Sequence, residues 1–241
     1  MEGGRYIKVL TLVFDKEIEA WEIPLFRGAV IASIGDDVNK LYHNHEGENG
    51  FRYSYPLIQY KTIRRKAAIV CIDEGVDIIG QLLSEESKDF VLGERNLHMD
   101  GQNIIPSRVL VQIWNEMFKY KMRHWLALNE ENYVRYKSTE SLTERIDLLQ
   151  NILKGNLLSF CKGLGIRLTE ELKVEITNLS VPKPAKCKGI KRLSFDVDFK
   201  CNLSIPNHIG IGKSSSIGFG TIYRYKNKTE KDKSSNNDTE S

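Results

Sequence analysis

An α+β fold follows from three observations in the sequence. Short segments rich in alternating or β-branched apolar residues recur along the chain, and stretches with helical spacing interrupt them. In the first hundred residues the resulting order is β-α-β-β-α-β, the ferredoxin-like unit. A second half repeats the theme less regularly and carries a glycine-rich segment close to the C-terminus.

Arg5 to Phe14 places Ile7, Val9, Leu10, Leu12 and Phe14 along a strand. Glu22 to Ile34 has Leu25, Phe26, Ala29, Val30 and Ser33 at helical spacing, and Gly35-Asp36-Asp37 ends that helix. A polar stretch containing Gly47 and Gly50 follows. Tyr55 to Ile63 and Ala67 to Ile72 are apolar and β-branched, with a basic cluster between them that predicts a hairpin tip. Val76 to Leu83 is read as a short amphipathic helix and Asp89 to Leu97 as a further strand, closing a first domain over residues 1–100.

In the second domain, residues 101–225, Ile104 to Tyr120 and Lys121 to Leu128 suggest a long hairpin. Thr139 to Leu164 predicts the longest helix, with Leu142, Ile146, Leu149, Leu153, Leu157 and Phe160 on one face. Leu172 to Val181, Lys191 to Leu203 and Gly218 to Tyr225 are expected strands. The tail, residues 226–241, holds Lys, Glu, Asp, Ser and Asn without an apolar residue and is expected to be disordered. Trp21, Trp114 and Trp125 have apolar neighbours and are expected to anchor the core rather than to serve as base-stacking platforms.

Composition narrows the function classes. At 241 residues with 41% hydrophobic and 28% charged content, the chain is an ordinary globular one with a sizeable core. No apolar run reaches the length of a membrane span, and no secretory leader opens the sequence. Cys71, Cys161, Cys187 and Cys201 lie far apart without a C-x-x-C pair, which argues against zinc and disulfides and for a reduced cytoplasm. The net charge is only +3, yet the basic residues cluster locally. Lys61, Arg64, Arg65 and Lys66 form one acid-free group, Lys183, Lys186, Lys188, Lys191 and Arg192 a second, and Lys119, Lys121 and Arg123 a third. Each alone reads as a solvated face; together they suit a phosphodiester backbone.

The densest signal is Gly210-Ile-Gly-Lys-Ser-Ser-Ser-Ile-Gly-Phe-Gly220. Two Gly-apolar-Gly triplets, Gly210 to Gly212 and Gly218 to Gly220, flank an insert carrying Lys213, Ser214, Ser215 and Ser216. Glycines at this density let backbone meet a ligand closely, while the lysine, hydroxyls and free amides offer donors to a phosphate. The alternative is a glycine-rich hairpin that holds no ligand. A P-loop is excluded because Asn207 stands where its first glycine belongs, and a dinucleotide fingerprint because Ser215 stands at its third.

This loop resembles the glycine-rich loop of the RAMP superfamily of CRISPR-associated RNA-binding proteins. Within that superfamily the chain is similar to the endoribonucleases that cut CRISPR repeat RNA, over roughly residues 5 to 225. Phe26-Arg27-Gly28-Ala29, Tyr55-Pro56-Leu57-Ile58-Gln59-Tyr60-Lys61 and Trp125-Leu126-Ala127-Leu128-Asn129-Glu130-Glu131-Asn132-Tyr133 agree with the same resemblance. It implies two tandem ferredoxin-like (RRM-like) domains packed side by side, with CRISPR repeat RNA as the partner. Contacts with effector-complex subunits and a homodimer are compatible with it, and no membrane is implied.

Residues able to run acid–base chemistry on RNA are His43 and His45 in the polar segment after the first helix. Imidazole titrates near neutrality, at about 6.5 unperturbed, so it can accept a proton from a 2′-hydroxyl or supply one to a departing 5′ oxygen. The resemblance carries the catalytic role to His43 and His45, with Tyr53 and Lys61 as helpers and Lys40 and Tyr55 as further candidates. RNA binding is expected of the loop residues named above together with Arg64, Arg65, Lys66, Lys188, Lys191 and Arg192. No Asp, Glu or Cys set accompanies the histidines at ligand spacing, so no metal and no cofactor are predicted. Two alternatives stay open: a non-catalytic RAMP subunit that binds guide RNA, and a general RNA-binding module, for which the aromatic RNP-type motif is not evident.

Overall fold

The computed structural model describes residues 3–34, 55–80 and 89–225, and among these the fold is α+β. The first sheet is antiparallel and has the order β2-β3-β1-β6, built from β1 (Arg5–Glu17), β2 (Ile58–Ile63), β3 (Lys66–Ile72) and β6 (Gly101–Val111). Helix α1 (Ile23–Ile34) covers one face, and a short α2 (Glu74–Ile78) follows β3. The expected hairpin forms with Arg64 and Arg65 both at positive φ, 51° and 70°. Such a two-residue turn matches the twist of the strands it joins.

The apolar run of β1 is nearly continuous because both of its faces are covered. Leu10, Leu12 and Phe14 meet Phe26 and Val30 of α1, whereas Ile7 and Val9 join a core that holds Trp125, Leu157 and Phe160 from the second half. Edge-to-face contacts of Phe26 with Phe14 (5.5 Å) and with Tyr60 (5.9 Å) fix α1 over the sheet.

The second sheet has the order β11-β7-β10-β8, with β7 (Ile113–Trp125), β8 (Val174–Leu179), β10 (Ile190–Leu203) and β11 (Thr221–Arg224); β9 (Lys183–Cys187) pairs with β10. Helices α3 (Glu130–Ser138) and α4 (Leu142–Gly163) precede β8. Each begins at a polar cap, where the side chains of Asn129 and Ser141 accept from the amides of Asn132 and Glu144. Leu149, Leu153, Leu157 and Phe160 form the buried stripe of α4. Along β7, Tyr120 and Met122 are buried and alternate with Lys119, Lys121 and Arg123, so that basic cluster lies on the face turned from the core.

Several expectations are corrected. The long hairpin over Ile104–Tyr120 and Lys121–Leu128 does not form: β6 pairs with β1 from Arg5↔Val111 to Phe14↔Gly101, and β7 pairs with β10 and β11. Residues 101–111, placed by the sequence in the second domain, therefore complete the first sheet. Asp89–Leu97 is not one strand but a hairpin of β4 (Asp89–Leu92) and β5 (Arg95–His98), turned at Gly93 with φ 64°. Trp125 is fully buried as expected, but Trp114 is 38% exposed and Trp21 70% exposed, so neither is a core anchor. All four cysteines are buried free thiols. Among the described residues no helix is long and apolar enough to cross a membrane. The segment with Gly47 and Gly50 and the tail 226–241 lie outside the described residues.

Candidate nucleic-acid interface

A cleft of about 570 Å³ opens where the two halves meet. One wall comes from the 3-10 turn Ala20–Glu22, Ile23 of α1, and Lys61 and Thr62 of β2. The other carries Lys121, Arg123 and His124 of β7, Lys186 of β9, and Thr221 and Tyr223 of β11. Ile217, Gly218 and Phe219 of the glycine-rich loop complete the lining. The three basic clusters, 60 to 130 positions apart in sequence, each send at least one side chain here. Arg123 is partly offset by Asp198 at 3.5 Å, and the Lys121 ammonium lies 4.6 Å from the Tyr225 ring.

The glycine-rich loop is seated on β2 by the Tyr55–Lys61 segment. Tyr55 donates its hydroxyl to the Gly210 carbonyl at 2.8 Å, and the Gly210 amide donates to the Gln59 side-chain oxygen at 2.7 Å. The Gln59 nitrogen donates to the Tyr55 hydroxyl at 2.9 Å. Lys61 donates to the Gln59 oxygen at 3.0 Å and to the His208 carbonyl at 2.5 Å. Beside them the Tyr60 amide donates to the Ser216 carbonyl at 2.8 Å. Burial pushes the Tyr55 hydroxyl upward, so it stays protonated as an anchor.

Lys61 is 1% exposed, and burial lowers its ammonium to about 7. After losing one proton its amine keeps two N–H bonds for its two carbonyl acceptors. His208, just before the loop, is lowered to about 4, first by burial and then by the charges of Lys61 and Arg64. Its ring stands edge-on to Tyr223, with centroids 5.4 Å apart. The imidazole is therefore neutral near pH 7.

The loop itself is packed more tightly than a freely exposed ligand turn. Gly210 is buried, and a Cβ there would meet the Ser215 carbonyl oxygen at 2.7 Å. Gly220 has φ 63°, and a Cβ there would overlap the Ile211 carbonyl oxygen. Ser215 is 3% exposed, and the Ser214 hydroxyl faces the Cys187 thiol at 3.1 Å. Of the expected loop contacts, only Gly218 lines the cleft. Gly212 packs on Asn156 and Trp125, and Lys213 is exposed in a separate hollow with Arg192, Asn129, Glu130 and Glu131.

The other expected RNA contacts scatter. Arg65 is ion-paired with Glu17 and Glu19, at 3.1 and 3.6 Å, while Arg64 beside it is exposed and Lys66 half-buried. Lys188 tips the β9–β10 hairpin at φ 49°. Lys191 and Arg192 line a groove of about 450 Å³ with Tyr133, Val134 and Ile190. His43, His45 and Tyr53, with Lys40, lie outside the described residues. Lys121, Arg123 and Lys186 belong to clusters recognised in the sequence, but nothing linear singled them out as cleft residues. Trp21 is expected in the core because its neighbours are apolar, so its place in the cleft is not legible in the sequence.

The Cas6b N-terminal domain family matches residues 5–108, and the Cas6b C-terminal domain family matches residues 112–225. The fold superimposes on a crystal structure of Cas6b with a TM-score of 0.81 and 28% identity, covering 92% of this chain and 100% of that one. A crystal structure of the CRISPR RNA processing endoribonuclease Cas6b gives 0.70 and 25%, covering 92% and 100% respectively. An uncharacterised protein of Methanocaldococcus jannaschii is 34% identical over 144 residues, 56% of this chain and 97% of that protein. With both domain families in order and nearly end to end, the chain belongs to the Cas6b family.

Proposed function

We propose that this protein is a CRISPR RNA processing endoribonuclease that cuts within repeat RNA by a metal-independent route. The observation that carries the reading is the cleft between the halves, where cations from three separate parts of the chain meet beside the glycine-rich loop. Clustered cations of this kind position a phosphodiester backbone, while specificity comes from bases read in single strands or hairpin ends. Membership of the Cas6b family and the similarity to a CRISPR RNA processing endoribonuclease support the same conclusion.

In the proposed reaction a base removes the 2′-hydroxyl proton and the freed oxygen attacks the adjacent phosphorus. The bond to the 5′ oxygen breaks, and an acid protonates that oxygen. A 2′,3′-cyclic phosphate and a 5′-hydroxyl result. His43 and His45 take the proton-transfer roles, each worth roughly 10²–10⁴ in rate. Tyr53 assists, and Lys61 and the cleft cations offset charge growing on the phosphate oxygens.

Two ferredoxin-like units are part of this proposal. In each sheet, counting strands within the unit, the order is fourth-first-third-second, which supports the reading. In the second unit the loop 204–220 occupies the position of the second helix. We set the boundary at Gln112, between β6 and β7, rather than after residue 100.

Incubating the protein with repeat RNA in EDTA and analysing the product ends tests the function. Cleavage with a cyclic phosphate end supports it. Binding without cleavage assigns the chain instead to a non-catalytic guide-RNA subunit, and a requirement for added divalent cation overturns the mechanism.

A further inference from the structure

Trp21 is the largest side chain of the 3-10 turn and is 70% exposed, at the mouth of the cleft. The two residues that follow do not share that exposure: Glu22 is 1% exposed and Ile23 4%. The turn is held firmly. The Glu22 carboxylate accepts the Glu19 amide at 2.8 Å and the Arg95 guanidinium of β5 at 2.5 Å. The loop also comes close to the turn, since a Cβ at Gly218 would lie 2.6 Å from the Ile23 methyl. An indole on a turn fixed by a buried carboxylate is a preorganised surface, and little ordering is lost when something packs on it.

We propose that Trp21 is the stacking platform for one unpaired nucleobase of an RNA strand lying in the cleft. This rests on the reading that the cleft holds RNA. The chemistry of the two walls carries the inference. Trp21 and Phe219 present aromatic surface, while Lys121, Arg123 and Lys186 present positive charge opposite. Aromatic platforms beside a cationic track are how single strands are held, because every base has a π-face and every nucleotide a phosphate. A base inside a duplex is already stacked, so the ligand is an unpaired nucleotide. The cleft volume, about 570 Å³, lies within the roughly 300–1,000 Å³ of small-ligand sites. A protein partner fits less well, because lysines are depleted at the centres of protein interfaces.

The test uses the full chain, with a short single-stranded oligouridylate and the repeat RNA as probes. Intrinsic fluorescence arises from Trp21, Trp114 and Trp125. Oligouridylate is expected to quench it saturably in the wild type, and Trp21→Phe is expected to remove that component. Trp21→Ala is expected to weaken RNA binding about 5- to 150-fold. Trp21→Phe, which keeps an aromatic face, should bind the repeat RNA within a few fold of the wild type. An unaltered Trp21→Ala affinity, or quenching that persists in Trp21→Phe, overturns the proposal. Unaltered RNA binding with a changed sedimentation mass would assign Trp21 to a protein contact instead. A wild type that shows the Trp21-dependent quench but cuts nothing sinks the nuclease reading and leaves the stacking site standing.

Discussion

The side-chain oxygen of Gln59 accepts the amide proton of Gly210 at 2.7 Å, joining β2 to the glycine-rich loop across 151 positions of sequence. The same oxygen accepts from Lys61 at 3.0 Å, so one buried amide holds both the loop and the lysine that faces the cleft. Gln59→Leu leaves a buried N–H without its acceptor. A loss of about 1–3 kcal/mol is expected in urea unfolding, with weaker RNA binding. An unchanged unfolding midpoint would show that the loop is held by other contacts.

Lys61 makes stability depend on pH in a defined direction. Its folded value is lowered to about 7 against 10.5 when unfolded. Between these values the unfolded chain holds the extra proton, so stability rises with pH, by at most about 1.4 kcal/mol per unit. Below about 7 both states are protonated and this contribution is flat. Measured against Lys61→Met, the wild type should therefore gain stability from pH 7 towards 10. A flat difference across that window would mean the lysine keeps its proton.

Two glycines with positive φ should respond differently to alanine. Gly189, at φ 81° in the β9–β10 turn, has nothing within 4 Å of a Cβ, so only the backbone cost of about 1–2 kcal/mol applies. Gly220, at φ 63°, adds an overlap with the Ile211 carbonyl, worth about 1–3 kcal/mol more. Comparable urea midpoints for Gly189→Ala and Gly220→Ala would contradict the packed loop.

Arg95→Met removes the guanidinium from Glu22 and leaves that carboxylate buried on the Glu19 amide. A loss of about 1.5–3 kcal/mol is expected by denaturant titration. Indole quenching by oligouridylate should weaken in parallel, since Trp21 shares the turn.

The paired substitution His43→Ala with His45→Ala should abolish cleavage while leaving RNA affinity within a few fold, measured by filter binding and product gels. Loss of binding with retained turnover would contradict the roles proposed for them.

How far the fold was legible depended on whether local pattern and burial agreed. β1, α1, the β2–β3 hairpin, α4 and β10 were legible because their apolar residues face a core at regular spacing. Helix α3 was hidden: Tyr136 is its only buried residue, and its formation leans on the Asn129 cap. Strand β9 was hidden too, since Lys183, Pro184 and Lys186 are exposed and only Cys187 is buried. The β4–β5 turn needed Gly93 to be read as a left-handed position rather than a strand glycine. Pairing partners were beyond local pattern, and that is why β6 was joined to β7 instead of β1. The candidate site divided similarly. Its basic clusters could be seen, but Trp21 was misjudged because hydrophobicity does not reveal which side of a turn faces a cleft. The glycines were visible, whereas their close packing requires the chain segments they touch.

Because β1 contributes Ile7 and Val9 to one core and Leu10, Leu12 and Phe14 to another, and Leu126, Cys187 and Ile217 of the second half enter the latter, neither half closes its interior alone. The polypeptide should accordingly melt in a single cooperative step, and either fragment expressed by itself should precipitate through the sheet surface its missing counterpart normally shields.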